Sequence, residues 1–83
     1  MTRQEIFARI SQLIAAAMPG SDPGSLKETT DLYDLGLDST TAVGLMLEIE
    51  DQFGLTFPDS LITDTTFQTP GALSTAVETI LAS

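Results

Sequence analysis

Three stretches of this chain repeat apolar residues at helical spacing, and no stretch alternates them as a strand would. Ile6, Phe7, Ile10, Leu13, Ile14, Ala17 and Met18 fall on one face of a first helix. Thr2-Arg3-Gln4-Glu5 reads as a capping box with Thr2 as N-cap, and Pro19-Gly20 is a stop, so helix I is predicted from about Arg3 to Met18. A Pro-free, mostly apolar run from Ser39 to Phe53, closed by Gly54, predicts helix II. Thr69-Pro70 pairs an N-cap with proline at the first helical position, which predicts a last helix from about Pro70 to Leu81. Leu73, Val77, Ile80 and Leu81 would face inward from it. Before it, Asp59 is expected to cap a short helix III reaching about Asp64, with Leu61 and Ile62 buried. Leu55 and Phe57 would tuck inward ahead of it, and Phe67 would anchor the turn after it. The expectation is an all-α chain forming one domain over residues 1–83, a four-helix bundle with a long loop after helix I and a short helix III.

That long loop begins as pure turn chemistry, Pro19-Gly20-Ser21-Asp22-Pro23-Gly24-Ser25. Leu26, Leu32, Tyr33, Leu35 and Leu37 are expected to pin the rest of it across the bundle, with Thr30 capping a short turn through Asp34. Loops this long in small domains are functional or disordered, and the apolar content argues against disorder.

Helix II breaks local rules. Glu50 interrupts its apolar face, so the inward set is expected to be Val43, Leu47, Ile49 and Phe53, with Met46 at the border. Ala42, Leu45 and Met46 would then be partly exposed, as on a docking face. Gly44 lies mid-helix, where glycine costs about 1 kcal/mol relative to alanine. Glu48, Glu50 and Asp51 crowd the end whose dipole disfavours anions, with no Lys or Arg three or four residues on. Such departures mark candidates for function, although a solvated face is the plainer reading of the charges.

Composition excludes several functions. The chain has no Cys and no His, which removes disulfides, thiolate chemistry, His-based triads and His metal sites. No apolar run is long enough for a membrane span and no signal-like segment is present, so a cytoplasmic location is expected. The net charge is −9, and Arg3, Arg9 and Lys27 all lie in the first third. Nothing in the remainder could neutralise phosphates, which excludes nucleic acid as a direct partner. The anionic surface would attract basic partners, or simply keep the chain soluble.

The stretch Leu35-Gly36-Leu37-Asp38-Ser39-Thr40-Thr41 places a hydroxyl where helix II begins. A phosphate there would meet unpaired N–H groups and the positive end of the helix dipole. Asp38 beside Ser39 is a turn or cap residue before it is a general base, so Ser39 reads as an acceptor modified by another enzyme and not as a catalyst. Gly36-Leu37-Asp38-Ser39 resembles the phosphopantetheine-attachment motif of acyl and peptidyl carrier proteins, and Glu50, Phe53 and Phe57-Pro58-Asp59 follow at that family's spacing. The resemblance implies a non-enzymatic, monomeric carrier of the acyl-carrier-protein fold. Ser39 would take covalent 4′-phosphopantetheine from coenzyme A, and Asp38 would serve recognition by the phosphopantetheinyl transferase. The arm supplies the thiol that this chain lacks and holds cargo as a thioester. A loading ligase or synthetase and a downstream transferase or synthase complete the implied partners.

Departures from the family are informative. Thr40 replaces an aliphatic residue, and Thr41 and Gly44 stand where fatty-acid carriers are often acidic. Docking is therefore expected through Thr40, Gly44, Leu45 and Met46, with Glu48 and Asp51, in a manner unlike that of fatty-acid carriers. The pattern is similar to stand-alone carriers that receive amino acids from truncated synthetase-like ligases, and to peptidyl carriers. Amino acids or specialised-metabolism acyl groups are the favoured cargo, and fatty-acid or lipid synthesis is the alternative. The rival of another class is an unmodified acidic helical interaction domain. No metal site is expected: a calcium site on Asp31, Asp34 and Asp38 lacks EF-hand spacing.

Overall fold

The computed structural model describes residues 1–82, which form three α-helices: α1 (Arg3–Ala17), α2 (Ser39–Phe53) and α3 (Pro70–Leu81). Two 3₁₀ turns, Pro23–Ser25 and Asp59–Leu61, interrupt the long connections, and there is no strand among the described residues. The expected helix III is thus a single 3₁₀ turn. It follows Pro58 with no side-chain cap, and Asp59 is its first residue and not its cap. The reason is local. Ser60, Ile62, Thr63, Asp64, Thr65 and Thr66 are β-branched or compete for backbone hydrogen bonds, and together they cannot sustain a helix.

Helix α1 starts as its sequence dictates. The Thr2 hydroxyl accepts the Glu5 N–H at 3.1 Å while the Glu5 carboxylate accepts the Thr2 N–H at 3.1 Å. Its stripe of Ile6, Ile10, Ile14 and Met18 is buried and packs against both other helices. In α3, capped by Thr69, Leu73 and Val77 are buried, but Ile80 is only half-buried and Leu81 is exposed because the helix end runs past the core.

The inward face of α2 is rotated from the expected one. Leu45 and Ile49 are fully buried, whereas Val43 and Leu47 are more than half exposed. Ala42, Leu45, Ile49 and Phe53, at steps of three and four, make the seam. Glu50 does not break that seam. Its carboxylate turns onto the next segment and accepts the Phe57 N–H at 2.8 Å, which leaves Phe57 free to stack on Phe67 with ring centroids 6.0 Å apart.

The connections are fastened by backbone. In the first loop Leu26, Leu32 and Leu37 are buried, while Tyr33 and Leu35 are exposed. The Leu32 N–H donates to the Gln68 carbonyl at 2.8 Å and the Gly71 N–H to the Glu28 carbonyl at 3.0 Å. Arg3 clasps the same corner. Its guanidinium meets Glu28 at 2.7 Å and the Gly71 carbonyl at 3.0 Å, and also reaches the Glu78 carboxylate and the Thr75 hydroxyl. Those carboxylates push the Arg3 pKa up, and Arg3 in turn pulls the Glu28 carboxyl below its ordinary value.

Two outcomes are expected. A β-carbon on Gly71 would lie 2.7 Å from the Glu28 carbonyl oxygen, whereas one on Gly44 meets nothing within 4 Å. In urea unfolding, Gly71→Ala should cost about 1–3 kcal/mol through overpacking, and Gly44→Ala should add about 0.5–1 kcal/mol. Acid should act through Glu28. A lowered folded-state pKa means that its contribution is complete above the unfolded value, near 4.3, and disappears as pH falls through the folded one. Wild type should therefore be more stable than Glu28→Gln at pH 7, with the gap closing as pH falls below the unfolded carboxyl value, read as the difference in urea midpoints.

Candidate functional site

The turn before α2 is built to present one residue. Asp31, and not Thr30, organises it: the Asp31 carboxylate accepts the Tyr33 N–H at 2.9 Å and the Asp34 N–H at 3.3 Å. Thr30 faces backward instead, its hydroxyl accepting the Lys27 N–H. Gly36 adopts φ +104°, which β-carbon-bearing residues rarely do, and the chain reverses so that the Leu37 N–H reaches the Leu32 carbonyl at 3.0 Å. Leu37 is then buried and locks the turn from below.

Asp38 follows in extended conformation and is the N-cap of α2. Its carboxylate accepts the Thr41 N–H at 2.7 Å. That N–H, helped by the Thr41 hydroxyl, holds the Asp38 carboxyl below its ordinary value and keeps it anionic. Ser39 is thereby the first helical residue, exposed, with no hydrogen bond from its hydroxyl to any described residue. The first intrahelical bond is Ala42 N–H to the Asp38 carbonyl, so the Ser39 and Thr40 N–H groups have no acceptor within the helix, and the Thr40 N–H helps to hold the Asp38 carboxylate. Among the described residues no Lys or Arg lines the groove at this serine to activate it. What the site offers is an accessible acceptor oxygen at the positive end of the α2 dipole, next to N–H groups that have no acceptor within the helix, and those features fit a phosphodiester.

A groove of about 440 Å³ opens at Ser39. Ala42, Val43 and Met46 line it from α2, and Tyr33, Ile62, Asp64 and Phe67 line it from the connections. A second, shallower groove of about 450 Å³ runs between α1 and α2, with Ala16, Ala17, Thr41, Gly44 and Glu48 along it. Of the predicted docking residues, Thr40, Gly44, Glu48 and Asp51 are exposed and Met46 is half-buried. Leu45 is withdrawn from that set, being fully buried as a core residue. The exposed apolar residues of α2 are Val43 and Leu47, which the rotated register hid from sequence reasoning. Tyr33, Ile62 and Asp64 were also missed as site residues. Only the fold brings them to Ser39, since they lie in separate connections.

Known proteins are similar to this chain in sequence and fold. Residues 8–77 match the family described as "Phosphopantetheine attachment site". The aminoacyl carrier protein of Agrobacterium fabrum is 35% identical over 80 residues, covering 96% of this chain and 89% of that protein. The mitochondrial acyl carrier protein of Neurospora crassa is also 35% identical, over 60 residues, but the chain spans only 45% of its length. Among solved structures, one chain in a complex of engineered Bradyrhizobium japonicum glycine:carrier protein ligase with carrier protein from Agrobacterium tumefaciens and AMP superposes with a TM-score of 0.79. It is 32% identical, with 87% of this chain and 97% of that one covered. The chain therefore belongs to the phosphopantetheine-attachment family, as a non-catalytic carrier protein that bears covalent 4′-phosphopantetheine.

Proposed function

We propose that Ser39 is the attachment point of the arm and that the cargo is an amino acid, loaded by an aminoacyl ligase. The observation that carries the first part is the exposed Ser39 hydroxyl at the start of α2, at the positive end of the helix dipole and at the mouth of a groove. When attached, the arm contributes a thiol that holds an acyl group as a thioester. The Ser39 oxygen–phosphorus bond forms as the transferase opens the pyrophosphate of coenzyme A, releasing its nucleotide half. The hydroxyl proton goes to a base on the transferase, because Asp38 is occupied by its cap. Asp38 remains available as a fixed negative charge for the transferase to read.

The amino-acid cargo is supported by the near full-length likeness to an aminoacyl carrier protein and by the ligase complex of the structural neighbour. The equal identity to a mitochondrial acyl carrier protein favours a second reading, an acyl cargo of fatty-acid or lipid synthesis. Docking would use Val43 and Leu47 as apolar contacts, with Thr40, Met46 and the backbone at Gly44 approached closely. Glu48 and Asp51 have no cationic partner among the described residues and would meet basic groups on the ligase or the transferase.

Incubation with coenzyme A and a broad-specificity phosphopantetheinyl transferase should raise the intact mass by one phosphopantetheine, and Ser39→Ala should abolish the gain. Thioesters released from the protein of its native host should yield an amino acid; a fatty acyl chain would instead establish the second reading. Gly44→Glu places a charge where the ligase backbone would come close, and should slow ligase loading about tenfold, or ~1.4 kcal/mol. An unchanged loading rate would remove Gly44 from the interface.

A further inference from the structure

The groove that opens at Ser39 is apolar along most of its walls, with Ala42, Val43 and Met46 on one side and Ile62 and Phe67 on the other. Its polar lining is the hydroxyl residues Tyr33, Ser39 and Thr63 and two carboxylates. Asp38 is engaged, its Oδ1 accepting the Thr41 N–H at 2.7 Å. Asp64 is not. It stands on the wall opposite α2, exposed, and only its main-chain carbonyl is used, accepting a hydrogen bond from the Tyr33 hydroxyl at 3.1 Å. That bond ties residue 64 to the loop before α2 and so holds it at the groove. The ion pairs among the described residues belong to Arg3 alone, which leaves the Asp64 carboxylate without a cation.

We infer that Asp64 receives the α-ammonium group of an aminoacyl thioester carried on the Ser39 arm. The inference rests on the proposed role of Ser39 and names the contact by which this groove would tell an aminoacyl end from a plain acyl one. The occupant is specified by the tether, since Ser39 lines the groove and whatever is attached to it emerges there. From Ser39 to Met46 the α2 wall runs about 10 Å, two helical turns, and a flexible arm anchored at one end can bring its tip to the facing wall. The charges around the site favour a cation. Asp38 and Asp64 are acidic, and Tyr33 is a phenol whose pKa is pushed up, by burial first and then by Asp64 and Asp31. Neither Arg9 nor Lys27 lines the groove, and Arg3 is spent in its own corner, so no side chain competes with the ammonium for Asp64. The consequence is chemical. An amine kept protonated has no lone pair with which to attack a neighbouring thioester, so the contact would guard the cargo as well as seat it.

The test loads wild type and Asp64→Asn with hydrolysis-resistant amide analogues of glycyl- and acetyl-coenzyme A, using a broad-specificity transferase and carbon-13-labelled glycine. Intact mass verifies loading before any titration. At low salt, the glycyl amine should titrate about half a pH unit or more higher in wild type than in Asp64→Asn, read from the methylene carbon shift. In wild type alone, the Asp64 carboxyl carbon should also shift between the glycyl- and acetyl-loaded forms, a readout that does not depend on how the variant folds. Equal amine titrations together with an unmoved Asp64 carboxyl, in protein that is fully loaded, overturn the inference and leave the role of Ser39 intact. Failure of either analogue to modify Ser39 overturns that role, and the inference with it.

Discussion

The fold depends on one seam. Ile6, Ile10 and Ile14 are buried almost completely along α1, and both other helices pack on that helix while scarcely meeting each other. An amphipathic helix must bury its stripe against something, and two helices that both pack on α1 but scarcely meet leave the core open between them. Irregular chain closes the gap. Leu26, Leu32 and Leu37 from the first long connection, and Phe57 and Phe67 from the second, complete the core. The connections cannot be loose if they serve as a wall. This accounts for the cross-links between them, Leu32 to Gln68 and Glu28 to Gly71, and for the approach at Gly71 that admits no β-carbon.

The seam also decides where charge can go. Arg3 opens α1 and folds its guanidinium over Glu28, Thr75 and Glu78, so one of the chain's three cations is consumed in joining α1, the first loop and α3. The α2 face is left with Glu48 and Asp51 unopposed, and with an Asp38 that its cap keeps ionised. The phosphodiester proposed at Ser39 would sit in this negative field. What makes that tolerable is local: N–H donors at the start of α2 act at hydrogen-bond range, whereas the more distant carboxylates are exposed and screened by salt. The same field selects partners, because only a surface that supplies positive charge approaches α2 without repulsion.

Much of this was legible in the chain. The bounds of α1 followed from Thr2, Glu5 and Pro19-Gly20, those of α2 from its Pro-free run and Gly54, and those of α3 from Thr69-Pro70, each to within a residue. The places of Asp38 and Ser39 at the start of α2 were legible because turn chemistry and a helix start coincide there. The face of α2 was not, and one residue explains why. Glu50 looks like a polar intruder in the seam, which pushes the apolar face toward Val43 and Leu47. Its actual role, accepting the Phe57 N–H, depends on a partner seven residues away whose backbone direction no periodicity reveals. The missing third helix has the opposite cause. Leu61 and Ile62 suggested an apolar side, but the β-branched and Asp-rich run around them outweighed it. The groove walls were invisible for a third reason: Tyr33 and Asp64 are brought together only by a hydrogen bond across 31 residues of chain.

A tethered cargo changes what such a groove has to be. For a free ligand, an open channel with a single exposed carboxylate would be a poor site, since surface ion pairs contribute at most about 1 kcal/mol. A group attached at Ser39, as proposed, would never leave the neighbourhood, and short flexible tethers give effective concentrations in the millimolar range. Against that concentration, contacts worth a millimolar dissociation constant hold the cargo about half the time. Tighter binding would be a fault, because each partner must draw the cargo out to act on it, and every kilocalorie of sequestration would be added to that partner's barrier. The open groove and the Asp64 carboxylate thus fit the small polar cargo proposed for this chain, one that would be sheltered briefly and surrendered often.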